Sequence, residues 1–322
     1  MTRMITLNLA HLKQSRPHFP VLIKEVLTAL DLSQENGMQK TYLDCTFGAG
    51  GYSTYILENP NTQVIAIDRD ETVQPFAEDL TKKYPDRFKF FLETFSNYPK
   101  ILDSLNIKVD GIIMDLGFSS MQINNSARGF SFKNDGDLSM AMGLNKITAY
   151  DFINKAEESL LADVIFYYGE EHKAKQIAKK IIYKRGLEEI KTTKQLADIV
   201  RGVVGGKGSI DPATKTFQAI RIYINDELHE LQTALKKAYD YLNPHGKLLV
   251  VSFHSLEDRI VKDFFNENGE TVKKFTNYKL NPATTNSKFK ILTKKPILPS
   301  TEETAINPPS GSAKLRVVER IL

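Results

Sequence analysis

The sequence predicts an α/β fold: a Rossmann-like, mostly parallel sheet interrupted by an inserted all-helical domain. Three observations predict it. Short apolar runs alternate with amphipathic helical patterns through the first third of the chain. A glycine cluster closes the first of those runs. From about Asn125 to Ser209 no run reads as a buried strand and only helical patterns remain.

Each element has its own signal. Thr41 to Phe47 (TYLDCTF), Gln63 to Asp68, Phe88 to Leu92 and Val109 to Leu116 are short and apolar, and helical stretches such as Glu71 to Tyr84 lie between them. Runs without polar alternation fit strands covered on both faces, as in a parallel sheet. In the middle segment a helix spans about Glu158 to Tyr168 and stops at Gly169. The next, Glu170 to Arg185, is apolar at Ala174, Ile177, Ala178 and Ile181. A third follows a cap at Thr192 or Thr193. Asp211-Pro212 then reads as the start of one long helix, because apolar residues from Phe217 through Ile224 and Leu231 to Leu242 recur every three or four positions. Lys247 to His254 is another buried strand, followed by a helix to about Asn266. Two late strands lie near Phe289 to Thr293 and Lys314 to Ile321. The pattern divides the chain into one α/β domain, residues 1–124 and 210–322, and an inserted helical domain, residues 125–209.

Composition bounds the function class. Hydrophobic residues make up 41% and charged residues 25%, which fits a globular protein and excludes a disordered or fibrous one. No stretch reaches the ~20 apolar residues of a membrane helix. The first seventeen residues lack the apolar core of a secretion signal. With one cysteine, Cys45, no internal disulfide can form, and a cytoplasmic location is expected. A net charge of +4 does not by itself identify a nucleic-acid binder. The charge distribution says more. Lys173, Lys175, Lys179, Lys180, Lys184 and Arg185 fall within one acid-free stretch. Such a strip can neutralise phosphates, or it can simply be a solvated face. Arg201 and Lys207 could extend it.

The strand ending in Asp44, then Gly48, Gly50 and Gly51, then a helix, describes a turn that lets a ligand approach the backbone. Glycines there serve a tight turn equally well with no ligand. Asp68, at the end of the second strand, adds an acid suited to both ribose hydroxyls of an adenosine. The spelling departs from G-x-G-x-x-G, and Asp44 would repel a pyrophosphate while suiting a sulfonium and an ammonium. S-adenosylmethionine is therefore favoured over a nicotinamide dinucleotide, and no metal is expected. At the end of the fourth strand, Asp115 and Phe118 form an Asp-x-x-aromatic pattern. A carboxylate there can hold the hydrogens of an exocyclic base amine, and an aromatic can stack on the base. Asp115 could equally cap the strand or contact the donor, and Phe118 could be core. Ser119 beside them, Arg128 in Arg128-Gly129-Phe130-Ser131-Phe132, and His254 complete the candidate substrate contacts. His254 reads equally as a structural histidine, and Ser255 as a helix cap with Asp258.

Taken together the motifs resemble the bacterial 16S ribosomal RNA cytosine-N4-methyltransferases of the MraW type. They run from His18-Phe19-Pro20-Val21-Leu22 through TFGAGG (46–51), AIDRD (66–70), DGIIMDLGFSS (110–120), RGFSF (128–132), YGEE (168–171) and PATKTFQAIRIYIN (212–225) to SFHSLEDRIVK (252–262). The resemblance implies a class I methyltransferase sheet and transfer of a methyl group from S-adenosylmethionine to N4 of the cytosine at position 1402 of 16S rRNA within the small ribosomal subunit. It implies donor contacts from Gly50, Gly51, Tyr52, Asp68, Phe95, Asp115 and Gln122, so that Asp115 has two candidate roles. The basic strip, with Lys180 and Arg185, is the candidate phosphate grip. No membrane partner is expected, and a homodimer is left open. A methyltransferase acting on DNA or a small-molecule amine is the alternative. Ala49 and Tyr52 stand where the family often has arginine and histidine, and residues 268–300 match poorly.

Overall fold

The computed structural model describes residues 20–32, 38–145, 147–205, 208, 210–270 and 287–322. In chain order, α1 (Ile23–Leu30), β1 (Lys40–Asp44), α2 (Gly51–Leu57), β2 (Thr62–Asp68), α3 (Gln74–Lys83), β3 (Phe88–Leu92), α4 (Tyr98–Leu105) and β4 (Val109–Asp115) come first. Six helices follow: α5 (Ser120–Asn124), α6 (Ala149–Lys155), α7 (Glu158–Gly169), α8 (Ala174–Arg185), α9 (Thr193–Val204) and α10 (Thr214–Asn225). The chain ends with α11 (Glu227–Tyr241), β5 (Leu242–Ser252), α12 (Ser255–Asn268), β6 (Phe289–Ile291), α13 (Thr301–Ile306) and β7 (Lys314–Arg320). Among the described residues no helix is long and apolar enough to cross a membrane.

The seven strands form one sheet in the order β3-β2-β1-β4-β5-β7-β6. β1 to β5 are parallel, and β7 runs antiparallel to both β5 and β6. This is the Rossmann-like, mostly parallel sheet that the sequence predicts. Strand order reverses between β1 and β4, the place where doubly wound sheets open a crevice at their carboxyl ends. Each strand that borders the crevice ends in an acid: Asp44 on β1, Asp68 on β2 and Asp115 on β4. The strands are held by burial. Leu43, Ile67 and Ile112 are fully buried, each contributing about 1.5–3 kcal/mol. Leu231, Leu235 and Ala238 of α11 join the same core.

The chain divides into two compact units, Met1–Gly117 with His229–Leu322, and Phe118–Leu228. These boundaries differ from those expected at residues 124 and 210. The reason is α10. Its Phe217, Ala219, Ile220 and Ile224 pack into the helical core with Leu161, Ile165, Ile177 and Leu196. The single helix expected from Asp211 to Leu242 is two helices, broken at Asp226, whose φ of 52° no helix can continue. An aspartate tolerates that left-handed conformation better than most residues. In the helical unit, Thr148 with Asp151 and Thr192 with Gln195 form reciprocal caps for α6 and α9. Asn225, fully buried, ties the 140–145 loop to α10. Its Oδ1 accepts from Met142 N (2.9 Å) and Asn145 Nδ2 (2.6 Å), and its Nδ2 donates to Met140 O (2.9 Å) and Arg221 O (2.8 Å).

Candidate active site

The site is built where β1, β2 and β4 end. After β1 the chain turns at Gly48 (φ 55°) and Gly50 (φ 74°), conformations that a side chain would strain, and enters α2. The turn stitches the three strand ends together. Gly48 N–H donates to Asp68 Oδ2 (2.8 Å), and Asp115 N–H donates to Thr46 Oγ1 (2.8 Å). A Cβ on Gly51 would stand 2.9 Å from Pro20, so α2 begins in direct contact with the segment preceding α1. Tyr52, next along α2, is buried, and its hydroxyl donates to the Val21 carbonyl.

The three acids differ in how they are satisfied. Asp44 is fully buried, accepting from Ser53 Oγ (2.7 Å) and from Thr46 N–H (3.3 Å), and burial pushes its carboxyl up to about 6. Asp68 accepts Asp70 N–H on Oδ1 (2.9 Å) as well as Gly48 N–H on Oδ2, and burial outweighs those two bonds to leave it at about 6. Each of its oxygens keeps a lone pair, enough for two hydroxyl donors. Asp115 is the least satisfied. Its Oδ1 is buried and accepts no hydrogen bond from the described residues. Burial above all, then the charge of Asp44, drives its carboxyl well above the usual range. The Tyr52 hydroxyl opposes this, while Glu257 and Glu303 add to it. A pocket edged by such acids suits a cationic ligand, because a positive charge relieves both the desolvation and the mutual repulsion. The orphaned oxygen of Asp115 fits the sulfonium-bearing donor.

The sequence matches the MraW methylase family over residues 15–321. The chain belongs to the MraW methylase family. It is a methyltransferase, and its methyl donor is S-adenosylmethionine. It is 50% identical over 307 residues to a ribosomal RNA small subunit methyltransferase H of Wolbachia sp. subsp. Drosophila simulans (strain wRi), covering 94% of this chain and 99% of the relative. It is 49% identical over 312 residues to the same-named protein of Rickettsia bellii (strain RML369-C), covering 95% and 99%.

Within this MraW methylase, Gly50, Gly51, Tyr52, Asp68 and Asp115 come together on one sheet edge. Phe95 sits on the same edge, in a short 3-10 turn after β3, half-buried against the sheet core. In the helical unit, Ser119 and Gln122 hold each other. Ser119 Oγ accepts Gln122 N–H (3.3 Å) and Gln122 Oε1 accepts Ser119 N–H (2.9 Å), a reciprocal cap on α5. Phe118 stays partly exposed, with the Arg221 guanidinium 4.9 Å from its ring centre and Phe130 at 5.9 Å. Arg128 donates to Ala141 O (2.8 Å) and lies over Phe130.

Two of the expected substrate contacts have structural partners of their own. Arg185 is half-buried, and its Nη1 donates to Ile153 O (2.8 Å) and Ala156 O (2.7 Å), fastening α8 to the end of α6. Lys180 is exposed, above the Tyr183 ring. His254 caps α12, the part expected of Ser255. Its Nδ1 accepts Glu257 N–H (3.4 Å), its Nε2 lies 3.1 Å from Glu257 Oε1, and its side chain is 9% exposed. Asp258, expected to assist Ser255, instead pairs with Arg316 (2.6 Å) and Lys314 (3.4 Å). His18, Phe19 and Lys207 lie outside the described residues. Sequence reasoning missed Glu257 and Glu303. Glu257 is legible as the third residue after a cap. Glu303 carries no local signal, because its partner, Leu22, lies 281 positions away.

Proposed function

We propose that this enzyme transfers the methyl group of S-adenosylmethionine to the exocyclic N4 amine of the cytosine at position 1402 in 16S rRNA of the small ribosomal subunit. The observation that carries the chemistry is the buried, unpaired Oδ1 of Asp115 at the end of β4. When bound, the donor supplies an electrophilic methyl on a sulfonium. Asp68 accepts the ribose hydroxyls, Phe95 lies by the adenine, and the negative charge around Asp44 and Asp115 holds the cation. A cytosine amine is a poor nucleophile because its lone pair is delocalised into the ring. Asp115, ionised beside the cation, accepts an amine hydrogen and favours a pyramidal nitrogen. The N–C bond then forms as the S–C bond breaks, the electron pair stays on sulfur, and the nitrogen gives up one proton to Asp115 or water. Phe118 stacks on the base. Exposed Lys175, Lys179, Lys180 and Lys184 support a phosphate grip by the helical unit. The names of the relatives favour ribosomal RNA over DNA or a small amine.

The test is to incubate the protein with S-adenosylmethionine and small subunits lacking the modification, digest the RNA, and measure its nucleosides by mass spectrometry. N4-methylcytidine is the expected product. A different methylated nucleoside, or none despite donor binding, refutes the assignment.

A further inference from the structure

We propose that Glu303 is a positioning residue for the methyl-donor site. The inference rests on the donor reading of that site. It joins segments far apart in sequence. Glu303, 3% exposed on α13, accepts Leu22 N–H on Oε1 at 2.8 Å. Leu22 is fully buried and left-handed (φ 53°), a conformation that is unfavourable for leucine and persists only when its surroundings hold it. Its two predecessors form a strap over the start of α2. Val21 O accepts the Tyr52 hydroxyl, and Pro20 packs so close to Gly51 that a Cβ there would stand 2.9 Å from it. Tyr52 in turn favours the ionised form of the Asp115 carboxyl beside it.

The relay has a definite logic. A tyrosine hydroxyl has one proton to give. The Val21 carbonyl accepts it and the Asp115 carboxylate, whose ionised form the same hydroxyl favours, competes for it. The position of the strap therefore decides which partner has the Tyr52 proton, and so how Asp115 faces the crevice. Ser300 fixes the far end by accepting Glu303 N–H (3.1 Å). The carboxyl-terminal part of the chain, which carries no glycine motif, thus sets the geometry of the glycine turn.

Glu303→Ala removes the anchor, whereas Glu303→Gln keeps an oxygen that can accept Leu22 N–H. The expected result, by calorimetric titration of the full chain with S-adenosylmethionine, is a donor Kd raised about tenfold in E303A and restored to within about twofold in E303Q. A role confined to stability lowers the melting temperature of E303A but leaves the Kd of its folded fraction at the wild-type value. Tyr52→Phe deletes the middle of the relay. Its effect and that of E303A should not add, because they break one connection. Wild-type donor affinity in folded E303A, equal weakening in E303A and E303Q, or full additivity with Y52F overturns the proposal. Should E303A fail to fold, Y52F alone decides: it must weaken donor binding several-fold, and wild-type affinity overturns the relay. If the unaltered protein does not bind the donor, the functional reading fails; if it binds and only E303A is unchanged, this inference alone fails.

Discussion

Asp68 offers the sharpest quantitative test of the donor site. Its carboxyl rests at about 6, raised first by burial and then by Asp70 and Asp44 against two backbone hydrogen bonds. Accepting two ribose hydroxyls requires the ionised form. With that starting point, roughly a tenth of Asp68 is ionised at about pH 5 and nearly all at about pH 8. Affinity for an adenosine ligand should therefore rise about tenfold across the interval through this residue alone, with nearly one proton released per binding event at the acid end. Other groups also titrate, so the observable is a double difference. S-adenosylhomocysteine is titrated calorimetrically at both pH values into the wild type and Asp68→Asn. The wild-type affinity ratio should exceed that of D68N by about tenfold, and D68N should bind at least tenfold more weakly at about pH 8. Equal ratios in the two proteins would refute the assignment of Asp68 to the ribose.

Four further outcomes follow from the same structure. Asp115→Asn should lower the rate of methyl transfer at saturating donor by about 10² or more without lowering the melting temperature, as followed by nucleoside mass spectrometry; a normal rate removes Asp115 from the chemistry. Burial lets Asp44 hold its proton to about 6 when folded, against 3.8 for a free aspartate, so its ionisation costs stability as pH rises from about 4 to about 6. The shift corresponds to about 3 kcal/mol, and Asp44→Asn should melt higher than the wild type near pH 7, an advantage that vanishes below about pH 4, where both states hold the proton. Arg185→Ala should lose about 1–3 kcal/mol in denaturant titrations, because the Ile153 and Ala156 carbonyls lose their charged donor. Lys180→Ala should leave stability unchanged and reduce the salt dependence of RNA binding by about one unit of slope, measured by filter retention over a salt series.

Much of the sheet was legible because its signals are local. The runs ending in Asp44, Asp68 and Asp115 are short, apolar and closed by turn residues, so both their type and their carboxyl ends could be read. The break at Asp226 was not. Ile224 and Leu231 keep a helical spacing across it, and one left-handed aspartate leaves that periodicity intact. The carbonyl partners of Arg185 were hidden for a related reason. On a lysine-rich helix a guanidinium that fastens two carbonyls looks like its solvated neighbours, since its partners are contributed by a different helix. His254 takes the cap expected of Ser255 because either can start a helix, and only the backbone shows which residue precedes the first turn. Glu303 depended on a contact between the two ends of the chain.

Three acids at adjacent strand ends would be a poor choice for stability alone. Asp44 is raised by burial, Asp115 by burial and then by the charge of Asp44, and Asp115 keeps an oxygen with no donor among the described residues. The arrangement becomes sensible once the ligand charge changes during the reaction. A unit positive charge about 4 Å from a carboxylate is stabilised by roughly 4 kcal/mol at an effective dielectric near 20, before desolvation is counted. The sulfonium has that charge and the thioether left behind does not. In the proposed reaction the carboxylates that would draw in the donor would lose their hold on its sulfur as soon as the methyl leaves. The electrostatic tension among these acids and the release of the product have one cause. Asp115→Asn should consequently narrow the preference for S-adenosylmethionine over S-adenosylhomocysteine, by weakening the donor more than the product; a ratio of affinities unchanged from the wild type would separate the buried charge from donor recognition.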